Sequence, residues 1–261
     1  MATDPKTIAA YNDHAESYDK HVSDPTDSTF HSYYEKPAIR AELPKLDGLD
    51  VISIGCGSGV DARWLADNGA KRVVGMDIAS GLIDIAKKNH PGIEFRVMDM
   101  DSLDFEDESF GLAYSSLALH YVDDWVKPLQ EAWRILKPGG QYIFSCGHPI
   151  DSAMEYFKDD ESRGARLGRT IMQVTGRRIV HGDYLAAAGN GINPIDGNLG
   201  ELEIRIYHRP ISKMFEQIQS SGFSVERLVE PQPTDEMKAA DPDMFEQLTR
   251  IPSFMIWVLK K

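Results

Sequence analysis

Three glycines, at 55, 57 and 59, close an apolar run, Val51-Ile52-Ser53-Ile54, and are followed by Val60 to Ala66. The pattern is that of a buried strand, a tight turn and the first turn of a helix. Glycine removes the Cβ atoms that would hold a flat ligand off the backbone, so the glycines at 55, 57 and 59 read either as a cradle for a cofactor or as a tight strand-to-helix turn with no ligand. Asp77 comes 22 residues after Gly55, at the end of a second apolar run from Lys71 to Met76. A parallel βαβ unit sets a carboxylate against ribose hydroxyls at a spacing of about 20 residues. Such a carboxylate accepts two hydroxyl protons at once. The competing task for Asp77, capping the next helix, falls to Ser80.

Two further groups carry chemistry. Asp99, in Met98-Asp99-Met100-Asp101, stands where a third strand meets the cofactor edge of the sheet. It is suited to accept from an adenine amino group. The acids from Asp101 to Glu108 read as a solvated loop without metal-ligand spacing, so no metal is expected. The second group is histidine. His120 leaves a fourth strand over the cleft, either as a base or as a side chain that fixes the loop, and His148 and His208 follow strands farther along.

What is missing narrows the cofactor. A dinucleotide fingerprint needs a glycine at position 60, where this chain has Val60, and no G-K-S/T follows, which excludes a phosphate P-loop.

The elements that position these residues alternate. Helices are expected after the glycine turn and over Ser80 to Lys88, the latter stopped by His90-Pro91-Gly92. Strands are expected over Ile93 to Val97, Phe110 to Ser116 and Gln141 to Cys146. A stripe of Val126, Leu129, Trp133 and Leu136 predicts a core-facing helix ended by Lys137-Pro138-Gly139-Gly140. Alternation lapses between 151 and 200, then returns over Glu201 to His208. A helix over 212 to 220 and two closing strands follow, giving seven sheet strands and one extra strand in the insertion. Long irregular insertions are usually functional or mobile. Residues 5 to 36, with Tyr11, His14, Tyr18, His21, Tyr33 and Tyr34, read as helices that either lie over the cofactor or pack on the sheet edge.

The 261 residues suit one large α/β domain with an elaboration. A net charge of -13, from 41 acidic and 28 basic residues, disfavours a dominant contact with nucleic acid or anionic lipid. Met1 to Asp19 is polar and no stretch approaches a membrane span, so a cytoplasmic protein without a membrane partner is expected. Cys56 and Cys146 lack metal-site spacing and read as free thiols. The arginines at 163, 166, 169, 177 and 178 could bind RNA, or a small carboxylate or phosphate.

Together these segments resemble the class I S-adenosylmethionine-dependent methyltransferases, in the small-molecule group similar to the ubiquinone and menaquinone biosynthesis enzymes (methyltransferase type 11). The likeness is carried by I-G-C-G-S-G at 54 to 59, V-V-G-M-D-I at 73 to 78, M-D-M at 98 to 100, S-S-L-A-L-H-Y-V at 115 to 122 and R-I-L-K-P-G-G at 134 to 140. Weaker likeness lies in Y-N-D-H-A-E-S-Y-D at 11 to 19 and H-R-P-I-S at 208 to 212.

The resemblance implies a Rossmann-like α/β fold, its seven-stranded sheet in the order 3-2-1-4-5-7-6 with the last strand antiparallel. It implies a helical lid at 1 to 45, a core at 46 to 150, a cap at 151 to 208 and the rest of the core at 209 to 261. S-adenosyl-L-methionine is the implied cofactor. Gly55, Cys56 and Gly57 would line its methionine part, Asp77 its ribose, Ile78 its adenine face, and Asp99 with the Met100 amide its adenine edge. Ser115 would meet the amine through its carbonyl, and Tyr11 or Tyr18 would close the site. One departure stands out: the family usually has an acid two residues before the first glycine, and here that place holds Ser53.

The implied reaction is methyl transfer to a small-molecule acceptor by in-line displacement. His148, His208 and His120 are the candidates for a base or for positioning the acceptor. A nucleic acid methyltransferase and a non-catalytic S-adenosylmethionine-binding module are the alternatives. Oxygen, nitrogen, sulfur and carbon acceptors all fit the framework.

Overall fold

Val51, Ile52 and Ile54 are buried almost completely. A strand with no wet face belongs in the middle of a parallel sheet that is covered on both sides. The computed structural model describes residues 3–158, 163–189 and 191–261. It begins with α1 (Pro5–Asp13), α2 (Ala15–Ser23) and a π-helical turn, His31–Glu35, that runs directly into α3 (Lys36–Ala41). Then β1 (Asp50–Ile54), α4 (Val60–Asp67), β2 (Arg72–Asp77), α5 (Ser80–Asn89), β3 (Glu94–Val97) and β4 (Phe110–Ser115) alternate as expected. α6 (Val126–Ile135) leads into β5 (Leu136–Gly147) and the short α7 (Pro149–Ser152).

Among the described residues the insertion holds six strands rather than one. They form three antiparallel ribbons: β6 (Glu155–Lys158) with β7 (Arg163–Arg166), β8 (Gly168–Ile171) with β9 (Arg178–His181), and β10 (Asn193–Leu199) with β11 (Leu202–His208). α8 (Ile211–Ser220), β12 (Ser224–Val229), α9 (Asp235–Ala240), α10 (Pro242–Leu248) and β13 (Phe254–Lys260) complete the chain.

β1 pairs in parallel with β2 on one side and β4 on the other. The central sheet runs β12-β13-β5-β4-β1-β2-β3. Counted by sheet strands alone this is 3-2-1-4-5-7-6, and β13 is antiparallel to both neighbours. Two layers of apolar side chains cover the sheet, one built around Trp125, Phe144 and Trp257, the other around Ile39, Leu65 and Ile83. Among the described residues no helix is long and apolar enough to cross a membrane.

One boundary differs from expectation. Leu136 is the first residue of β5, not the last of α6, and Trp133 lies outside the core with Lys261 Nζ 4.0 Å from its ring centre. The buried face of α6 is Leu129, Ala132 and Ile135. That is the same helical period rotated by one position, because the indole can shelter under a lysine stem at the surface.

The N-terminal helices lie across the carboxyl ends of the strands. Asn12 Oδ1 accepts from the Gly81 amide at 2.9 Å and the Ser80 hydroxyl at 3.2 Å, so α1 caps α5 in place of the expected Ser80. The β10–β11 ribbon braces α1 from the other side: the Arg205 amide donates to Thr7 Oγ1 at 2.9 Å, and its guanidinium reaches Asp4 and Asp196.

Candidate active site

The glycine turn works because the backbone there leaves ordinary L-residue territory. Gly55, Gly57 and Gly59 have φ of 67°, 54° and 88°. A Cβ on Gly59 would come within 2.7 Å of the Phe95 ring, so this glycine also lets β3 close against α4. The turn is tied to β2 by the Cys56 amide on the Met76 carbonyl at 2.9 Å.

Asp77 is the second anchor. Its Oδ2 accepts from the Gly57 amide and its Oδ1 from the Ala79 amide, each at 2.9 Å. Burial raises its pKa, and the amides of Ala79, Gly57 and Ile78 oppose that rise. The carboxylate fixes two turns and still presents lone pairs to the space above them.

That space is a cleft of about 650 Å³ over the carboxyl ends of β1 to β3. Gly55, Gly57, Asp77, Ile78, Asp99 and Met100 line its floor, and Tyr11, Tyr18 and Tyr121 line its other side. Asp99 Oδ1 accepts from the Asp101 amide at 3.0 Å, which turns the chain at the cleft edge. The Tyr11 ring meets those of Tyr18 and Tyr121 edge-on at 5.1 and 5.7 Å, and the hydroxyls of Tyr11 and Tyr121 are 2.7 Å apart. Burial raises all three phenols, Tyr121 to about 12, so the rings are neutral and uncharged faces bound the cleft.

A second chamber of about 490 Å³ shares Tyr18, Gly55, Gly57, Ser116 and Leu117 with the first. Cys56 lines this one, along with His31, Lys36, Ser53 and Asp61. Burial and Asp77 raise the Cys56 thiol, so it stays protonated. Ser115 is buried behind the wall, and its neighbour Ser116 reaches both chambers. Among the described residues no group of three or more His, Cys, Asp or Glu could hold a metal ion.

The three histidines separate. His148 caps α7 by accepting from the Ile150 amide at Nδ1, and Nε2 lies 3.0 Å from Glu230 Oε1. His208 has Nδ1 2.6 Å from Ser152 Oγ and Nε2 3.0 Å from the Tyr184 carbonyl. Neither lines a chamber, and both have both nitrogens committed. His120 stands beside Tyr121, its ring centre 4.3 Å away, and burial followed by the nearby Arg209 lowers its pKa to about 3.

Sequence reasoning missed Glu35. This carboxyl is fully buried on the π-helical turn, with Oε1 accepting from the hydroxyls of Ser116 and Ser145. Burial, with Asp61 adding to it, pushes Glu35 up to about 7, against the two serines and Lys36. The one available signal was the absent acid at Ser53, which asks for an acid from elsewhere. An acid with a raised folded pKa contributes stability that is full below about 4.5 and is lost as pH climbs to about 7. Thermal stability of the wild-type chain should therefore fall between about pH 5 and about pH 8. Glu35→Gln should flatten that fall, and equal slopes in both proteins would remove this reading.

A cradle of positive-φ glycines beside a carboxylate on a doubly covered parallel sheet defines a Rossmann-like nucleotide-cofactor protein. The comparisons with known proteins narrow that class. A family model described as a methyltransferase domain matches residues 52–144. The crystal structure of an S-adenosylmethionine-dependent methyltransferase from Mesorhizobium loti is 31% identical, covers 90% of this chain and 100% of its own, and superposes with a TM-score of 0.69. This chain belongs to the S-adenosylmethionine-dependent methyltransferases.

Two further likenesses are more distant. A malonyl-acyl-carrier-protein O-methyltransferase from Yersinia pestis is 30% identical over 138 residues, which is 53% of this chain and 46% of that protein. The chain thus spans less than half the length of the first curated relatives it matches. Phosphoethanolamine N-methyltransferase from Haemonchus contortus, solved with phosphoethanolamine and S-adenosylhomocysteine, shares the fold at 16% identity. Its TM-score is 0.58, and the match covers 97% of this chain and 49% of that one.

The residues in the cleft fit S-adenosylmethionine as cofactor. A Cβ on Gly55 would overlap the Ala118 Cβ at 2.4 Å, and the Asp77 carboxylate is preset by two amides at the cleft floor.

Proposed function

We propose that this chain transfers the methyl group of S-adenosylmethionine to a small-molecule acceptor. The observation that carries the reading is Asp77, whose two oxygens tie the glycine turn to the start of α5 at the floor of a cleft walled by three neutral tyrosines. Asp77 would hold the ribose, Ile78 the adenine face, and Asp99 with the Met100 amide the adenine edge. Gly55 and Gly57 would lie under the methionine part, with Cys56 at its side and the Ser115 carbonyl toward the amine. When bound, the cofactor supplies an already activated methyl group.

The protein's own work is to align and to keep water out. Tyr11, Tyr18 and Tyr121 would offer aromatic surface to the positive sulfur end, and α1 would form the lid. Calorimetry with S-adenosylhomocysteine and with NAD tests the cofactor: binding of the first alone is expected, and binding of NAD alone would overturn the reading. Tyr11→Phe, which removes only the hydroxyl pair with Tyr121, should weaken S-adenosylhomocysteine by about threefold, whereas Tyr11→Ala should cost at least about tenfold. Equal losses would place the contribution in the hydroxyl rather than the ring.

The Yersinia relative is named for a carrier-bound malonyl acceptor, and a Mycobacterium tuberculosis relative, 26% identical over 172 residues, for phthiotriol and phenolphthiotriol dimycocerosates. These support an acceptor outside the nucleic acids. In the arginine cluster Arg166 pairs with Glu155 and lies over the Phe157 ring, which makes it a brace of the β6–β7 ribbon, and the Arg163 side chain lies outside the described residues.

Of the three candidate histidines, His120 lies nearest the cleft, behind Tyr121 of its wall. An imidazole titrating near 3 is a weak proton acceptor at neutral pH, so we assign it to positioning and route no proton through it. His120→Gln should leave turnover at saturating acceptor within about threefold of wild type, and a loss of about a hundredfold or more would restore it as a base.

A further inference from the structure

We propose that Glu35 is a positioning residue for donor binding: through Ser145 and Ser116 its carboxyl fixes the left-handed turn at Leu117 that walls both chambers. The inference rests on the methyltransferase reading above.

Leu117 has φ of 50° and lines both chambers. A bulky L-residue stays in that region only where its surroundings hold it. The holding group is Ser145 on β5, whose Oγ accepts from the Leu117 amide at 3.0 Å. A serine hydroxyl has one proton, and Ser145 gives its own to Glu35 Oε1, leaving its lone pairs for Leu117. Ser116 Oγ donates to the same Oε1 at 3.0 Å. One carboxyl oxygen therefore sets the direction of the hydroxyls on both sides of the strained peptide.

The other oxygen, Oε2, is buried without a hydrogen-bond partner among the described residues. A protonated carboxyl carries its proton there, so Oε1 remains an acceptor in either protonation state. The π-helical turn that carries Glu35 also places His31 against the second chamber, and Lys36 follows it there. β1 has Ser53 where an acid was expected, and Glu35 supplies a buried acid beside the same chamber from the N-terminal segment instead. The 31–35 turn is thereby coupled to the far wall of the donor site.

The test is calorimetry of S-adenosylhomocysteine with the full chain and its Glu35→Ala, Glu35→Gln, Ser145→Ala and Glu35→Ala/Ser145→Ala variants, each first checked for cooperative unfolding. Glu35→Ala and Ser145→Ala should each weaken binding by about tenfold, and the double variant should be no worse than the weaker single within about threefold, since both break one chain of hydrogen bonds. Glu35→Gln keeps a carbonyl at the Oε1 position and should bind within about threefold of wild type.

Unchanged affinity in a folded Ser145→Ala or Glu35→Ala, additive losses, or a Glu35→Gln loss equal to that of Glu35→Ala would overturn the proposal. If Glu35→Ala fails to fold, the Ser145→Ala and Glu35→Gln results decide. A wild-type chain that does not bind S-adenosylhomocysteine would instead sink the donor reading on which the proposal rests.

Discussion

Asp77→Asn should lose affinity for S-adenosylhomocysteine by about a hundredfold while its melting temperature stays level or rises. The two effects come from the same carboxylate. It is half-buried at the cleft floor, and that burial raises its pKa, so the ionised form is carried at a cost to stability. Asparagine removes the charge and keeps the shape. It accepts at one oxygen only, so one of the two amides, of Gly57 or Ala79, then faces an NH₂ group, and the proposed ribose contact would lose its charged acceptor.

Hydrogen bonds to charged groups contribute about 1.5–3 kcal/mol each, and losing one such bond to the ribose while loosening the turn sums to roughly 3 kcal/mol. Calorimetry and thermal unfolding on one preparation separate the two quantities. Parallel loss of binding and stability would make Asp77 a structural residue of the turn and remove it from the ribose.

The parts of the fold that could be read in the sequence are those where burial writes a period. The centres of β1, β2 and β4 and residues 142–146 of β5 are buried on both faces because helices cover them, and the glycines between β1 and α4 mark a turn no other residue fits. The placement of Asp77 and Asp99 at the cleft was legible because strand ends in a parallel sheet occupy fixed places. Of the insertion's ribbons only β11 was, through its alternation over 201–208; β6, β8 and most of β9 are exposed or half-buried along their length, so no alternation of apolar and polar residues records them.

Nor could the period distinguish which of Trp133 and Ala132 faces inward on α6, since one step of rotation moves the stripe. Glu35 was hidden for a different reason. A lone buried acid has no sequence period, and its partners Ser116 and Ser145 are 81 and 110 residues away. His148 and His208 stood out as histidines at strand ends, yet their rings are consumed in bracing α7 and the insertion.

Gly55→Ala should abolish measurable cofactor binding, and Ala118→Gly should partly restore it. Two separate costs act at this position. The backbone φ of 67° lies in the left-handed region, where alanine is less favourable than glycine by about 1–2 kcal/mol. The new Cβ would also sit 2.4 Å from the Ala118 Cβ, well inside contact distance, and both partners are short and cannot rotate away. The turn or the 117–118 segment must shift, and both line the cleft.

Removing the Ala118 methyl leaves the new Cβ 3.9 Å from the Ala118 Cα, which is ordinary contact, so the steric cost vanishes and the backbone cost remains. The double variant should therefore bind S-adenosylhomocysteine about tenfold more weakly than wild type, the affinity equivalent of the surviving 1–2 kcal/mol. Ala118→Gly alone should bind nearly as wild type. Full recovery in the double variant would mean the left-handed backbone costs nothing there. No recovery would mean that Gly55 is required for direct approach of the ligand to the backbone rather than for the packing of Ala118 against the turn.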